Sequence, residues 1–98
     1  MVVVSLANPR EKYWGKLSEL SAAGVTVVAI ALDSLDDFMA QIRAGEVVNP
    51  ATLFFPMHRV ERIELDARNG HFGSLAERFE SKSGMRLDAV FGGAGARR

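Results

Sequence analysis

His58 and Arg59, with Arg62 three positions on, bring an imidazole and two guanidinium groups together in a loop-like stretch of the chain. Side chains of this type can hold a phosphate or the edge of a base. Tyr13 or Trp14 would then supply a ring on which a base stacks. The same stretch admits a plainer reading. In Arg59-Val60-Glu61-Arg62-Ile63-Glu64 cations and carboxylates alternate, so Arg59 and Arg62 can pair with Glu61 and Glu64 on a solvated strand face. The alternation favours that second reading.

Other chemistry-bearing residues form weaker patterns. His71 sits in Asn69-Gly70-His71, a turn that leaves it exposed, and neither histidine belongs to a metal-ligand motif, so no metal site is expected. Asp33, Asp36 and Asp37 suit a helix N-terminus better than an acid–base pair, because adjacent helical residues point about 100° apart. No serine lies in a Gly-x-Ser-x-Gly elbow, and Gly92-Gly93-Ala94-Gly95 follows no strand–helix unit that would make it a phosphate loop. These patterns predict a non-enzyme without a cofactor.

The elements that would position these residues follow from periodicity. Val2 to Ala7 reads as a strand ended by Asn8-Pro9, and Glu11 to Leu20 as a second strand with broken alternation: Tyr13 and Leu17 share one phase, Trp14 and Leu20 the other. Gly15 between them marks a bend or a close backbone approach. After the Ser21–Gly24 loop, Val25 to Leu32 is apolar on both faces, so its second face must be covered by a helix or by another subunit. Leu35, Phe38, Met39 and Ile42 then form a helical stripe, with Ser34 as its cap and Gly45 as its stop. Thr52 to Phe55 and Arg62 to Asp66 are the fourth and fifth strands, joined by a tight turn through Pro56. Ser74-Leu75-Ala76-Glu77 has capping-box spacing ahead of a short second helix. Met85 to Phe91 reads as a sixth strand or as an arm along a neighbour.

The expected fold is therefore mainly β with two helices. It is a five-stranded, strongly bent antiparallel barrel with a helix at about 34–45 inserted between strands 3 and 4, and a short C-terminal helix at about 74–83. One domain over residues 1–91 with a disordered tail at 92–98 fits a chain of 98 residues. Twelve basic and twelve acidic side chains cancel, which argues against a dedicated nucleic-acid clamp. No cysteine is present, so neither a disulfide nor a thiolate metal site can form. No apolar run approaches the roughly 18 residues of a membrane span, and the first residues lack a signal-peptide pattern, so a cytoplasmic protein with no membrane partner is expected.

Two stretches carry a family resemblance. The first is Val2-Val3-Val4-Ser5-Leu6, a turn, Trp14-Gly15-Lys16-Leu17, Leu20 and Gly24-Val25-Thr26-Val27. The second runs from Leu53 through Pro56-Met57-His58-Arg59 to Leu65. Together, over residues 2–66, they resemble the Sm-like group of SH3-like barrels, which includes the RNA chaperone Hfq. The glycine-bent second strand and the short strand–turn–short strand pair are the points of likeness. PRC-type barrels have a similar Pro-containing last strand pair. The Sm resemblance implies a cyclic homo-oligomer with RNA as partner. In the loop Leu20-Ser21-Ala22-Ala23-Gly24, however, the acidic residue and asparagine with which Sm proteins contact bases are missing, and the second motif's basic turn is matched only by His58-Arg59.

Adjacent rings support self-association independently. Neighbours on a strand face opposite sides, so Tyr13-Trp14 and Phe54-Phe55 each send one ring away from the barrel centre. Burying such a ring is worth roughly 1.5–3 kcal/mol, and a subunit interface would cover those that the helices do not. Two functions are consistent with these features: a non-catalytic homo-oligomeric module that binds RNA, and a protein-interaction or assembly domain with no nucleic-acid role.

Overall fold

The computed structural model describes residues 1–92. Its strands are β1 (Val2–Leu6), β2 (Glu11–Leu20), β3 (Gly24–Ala31), β4 (Ala51–Pro56) and β5 (Val60–Leu65), and its helices are α1 (Leu35–Arg43) and α2 (Leu75–Ser83). The strands form one antiparallel sheet in the order β4-β3-β2-β1-β5. β4 and β5 are its edges and no ladder joins them, so the sheet is open rather than closed by hydrogen bonds. It nonetheless curls: Phe55 of β4 shares one apolar cluster with Val60 and Ile63 of β5, around Val2, Val4, Leu6, Val25 and Val27.

Gly15 makes the curl feasible. A Cβ at that position would run into the Val28 carbonyl oxygen and the Ala29 backbone, so β2 and β3 approach too closely there for any side chain. The broken alternation of β2 also has a local cause. The β2–β3 register shifts between Leu17 and Glu19, and this bulge brings Leu20 opposite Val25, on the face that Leu17 shares with Val27. Leu20 thus joins the phase of Tyr13, and Trp14 alone of these four faces the other side.

That other side is a second core. Trp14, Val28 and Ile30 of the sheet pack with Leu35 and Met39 of α1, Phe79 of α2 and Phe91. The two apolar faces of β3 are therefore both filled within one chain, the outer one by helices. Met85 to Phe91 is neither a strand nor an extended arm. Residues Asp88–Gly92 coil into a single wide π-type turn, which drives Phe91 edge-on against Trp14 at 5.1 Å between ring centres. The apolar residues of this segment are spaced to deliver one ring and two aliphatics, Leu87 and Val90, to the same cluster. Of the expected tail, 93–98 lies outside the described residues.

Helix α2 is capped twice. Ser74 Oγ accepts from the Glu77 amide (3.1 Å) and Glu77 Oε1 accepts from the Ser74 amide (2.8 Å), the reciprocal box that the spacing predicts. Asp66 adds a second cap from a distance, accepting from the Leu75 and Ala76 amides at 2.8 Å each. Gly84, at φ 79°, ends the helix in the left-handed conformation. Ser34 precedes α1 but makes no side-chain cap hydrogen bond. No described helix is long and apolar enough to cross a membrane.

Candidate functional site

The turn that carries His58 and Arg59 is a short 3-10 helix, Met57–Arg59, wedged between two other parts of the sheet. The Met57 amide donates to the Ala23 carbonyl and the Ala7 amide donates to the Arg59 carbonyl, both at 2.9 Å. Pro56 fixes the entry to this corner by its locked φ. The turn is therefore tied at one end to the start of β3 and at the other to the end of β1.

Arg59 points across that corner. Its Nε donates to the Ala7 carbonyl (3.1 Å), and its Nη2 donates to the Pro9 carbonyl (2.8 Å) and to Glu11 Oε1 (3.1 Å). The guanidinium thus straps the β1–β2 turn, and 24% of its side chain remains exposed. Its ion partner is Glu11 and not Glu61. Arg62 projects from β5 and pairs with Glu64 at 3.3 Å, as the alternating charges predict. The two arginines consequently serve different neighbours and do not converge. His58 is exposed at the outside of the turn.

The aromatic pair divides as strand geometry requires. Tyr13 is half-buried on the inner face, its ring 5.0 Å from that of Phe55. Trp14 is fully buried on the outer face, 5.4 Å from Phe79, and its Nε1 donates to Asp66 Oδ2 at 3.0 Å. A ring with no exposed surface has no face to offer a base, so Trp14 is not a stacking platform; Phe79 of α2 and Phe91 of the Asp88–Gly92 turn pack against it and against each other. It also needs no second subunit to cover it.

Asp66, which the sequence marks only as the end of the fifth strand, follows β5. Its carboxylate gathers an indole N–H and two helix-terminal amides, so it locks α2 onto the sheet at the position of Trp14. Its partners lie 9, 10 and 52 positions away, and no local spacing rule could have found them. Among the described residues, no group of three or more His, Cys, Asp or Glu side chains is placed to hold a metal ion. The one buried side-chain polar atom without a partner among the described residues is Ser5 Oγ. It lies in the ladder row between Lys12 and Arg62 and is enclosed.

The β4 edge is open to a partner, and Leu20, Val47, Leu65 and Phe72 are also exposed. β4 reads Ala51-Thr52-Leu53-Phe54-Phe55-Pro56 and carries no charged residue, whereas β5 carries Glu61, Arg62 and Glu64. Phe54, in register with Thr26, sends its ring over Gly24, yet 55% of the residue stays exposed. Comparison of the chain with protein-family models, with curated proteins and with solved structures finds no match.

Proposed function

We propose that this chain is a non-catalytic assembly module, a small SH3-like or Sm-like barrel in type, that docks against further copies of itself through its β4 edge. The curl of the five strands around one cluster, the glycine-bent β2 and the tight 3-10 corner between β4 and β5 support the barrel reading. The observation that carries the assembly reading is the chemistry of the edge. Exposed edge strands are normally guarded by charges or by an interior proline; β4 has no charge, has its proline only at its last position, and presents Phe54 to solvent. Pairing with a second copy would satisfy the free backbone groups and cover that ring in one step.

RNA as partner, which the Sm resemblance implies, has less support. Trp14 is sealed, Arg59 is engaged by two carbonyls and Glu11, and Arg62 is paired with Glu64. Sedimentation velocity of Phe54→Lys tests the assembly reading: the variant sediments as one copy with an unchanged circular dichroism spectrum, while the parent chain sediments as a multiple. Equal sedimentation of the two as a multiple would remove β4 as the interface. In a parallel anisotropy titration, a labelled single-stranded RNA shows no saturable binding at low salt. Binding that weakens steeply with salt and is lost in His58→Ala would favour the RNA-binding module instead. His58→Ala is the cleaner arm, because Arg59→Ala also frees the β1–β2 turn.

A further inference from the structure

Helices α1 and α2 lie side by side and run in the same direction. Arg78 Nη2 meets Asp36 Oδ1 at 2.6 Å near their N-terminal ends, the rings of Phe38 and Phe79 are 6.4 Å apart, and at the other end the Arg43 guanidinium sits over Gly84. Between them on the outer surface is a groove of about 450 Å³. Its floor is Met39, Ala40 and Ala44, and its rims carry Arg43, Arg78 and Lys82 against the single carboxylate of Asp36.

The charge of this groove survives correction for the helices themselves. Both C-termini end here, each contributing roughly half a negative charge, which Arg43 and Lys82 in the last turns partly offset. Three cations less one carboxylate and about one unit of dipole charge leave a net excess of about one positive charge. Neither Arg43 nor Lys82 forms an ion pair among the described residues, and the Arg78–Asp36 pair is solvent-exposed and readily exchanged for an incoming carboxylate.

We propose that the α1–α2 groove is a docking site for an acidic segment of a partner protein, with Arg43, Arg78 and Lys82 taking its carboxylates and the exposed Ala40 and Ala44 taking the aliphatic stems. Arg78 and Lys82 are one helical turn apart, which sets a spacing of about 6 Å between the carboxylates that they receive. The groove has no aromatic lining residue, so a nucleobase would find no stacking surface, whereas glutamate stems fit a floor of exposed alanines. This surface is lined by residues of the two helices and Ala44, none of them from β4, so the proposal does not rest on self-assembly.

The test is a titration of the full chain with a fluorescein-labelled oligoglutamate peptide, followed by anisotropy and by amide chemical shifts. Binding weakens with added salt, shifts map to α1 and α2, and Arg43→Glu with Lys82→Glu lowers the affinity about tenfold or more. Reversing Arg10 and Lys12 to Glu makes the same change in net charge elsewhere and leaves the affinity intact. Should the groove variant fail to fold, Arg43→Gln with Lys82→Gln keeps the size and removes the charge. Equal losses in both pairs of variants, shifts scattered over the whole surface, or tighter capture of a single-stranded RNA on the same amides would overturn the proposal.

Discussion

Asp66 holds donors from two distant parts of the chain, and its removal strands the Trp14 indole N–H together with two amides of α2. Each stranded donor costs about 1–3 kcal/mol where water cannot reach it, and the half-buried site lets some of that be recovered. Asp66→Ala should therefore lower unfolding free energy by about 2 kcal/mol in urea titrations, and Asp66→Asn, which keeps an acceptor, by less. An unchanged midpoint would show that water replaces the carboxylate. Ser5 predicts the opposite sign. Its enclosed hydroxyl has no partner, so Ser5→Ala should leave stability equal or raise it by about 1 kcal/mol, and a clear loss would reveal a partner for Oγ. Neither effect is legible in the sequence. Both depend on which strands lie beside which, and in the sequence Ser5 and Asp66 look like ordinary polar residues of two strands.

Helix α2 was legible because its start is written in four consecutive residues, Ser74 to Glu77. The same box carries a pH dependence. The backbone hydrogen bond from Ser74, and then the charge of Arg68, hold the Glu77 carboxyl below the ordinary glutamate range. A carboxyl depressed in the folded state contributes stability that is full above its unfolded pKa, about 4.3, and is lost as pH falls through the folded value. Helix content of α2 should accordingly decline on acidification below about pH 4.3, and Glu77→Gln should flatten that decline in circular dichroism. An identical acid profile in the variant would assign the loss to other carboxylates. The β2 strand and the segment before Gly92 were less legible, for a common reason. A one-residue bulge reverses the phase of Leu20, and a π-type turn replaces the extended conformation that the apolar residues of 85–91 would equally allow. Periodicity reads a phase only where the backbone keeps step.

At the scale of the molecule, one sheet divides two cores, and β3 contributes to both. Trp14 lies in the outer cluster, while the inner cluster draws residues from all five strands. Because the same strands carry both, the halves should not unfold separately: tryptophan fluorescence and far-ultraviolet dichroism are expected to give one coincident transition. Two separated transitions would mean that the helices detach before the sheet melts. The two-faced character of β3 was readable from Val25 to Leu32, and it correctly required a cover. That the cover is α1, α2 and Phe91 rather than a neighbour was not readable, since the ring count alone does not say where the helices fold back. Of the rings in the adjacent pairs Tyr13-Trp14 and Phe54-Phe55, Phe54 alone is left exposed, on an edge strand without charge.

Light scattering of the unmodified chain over a micromolar concentration series measures this directly. The expected mass is two or more times the 10.7 kDa of one chain. A constant mass near 10.7 kDa across the series would contradict it.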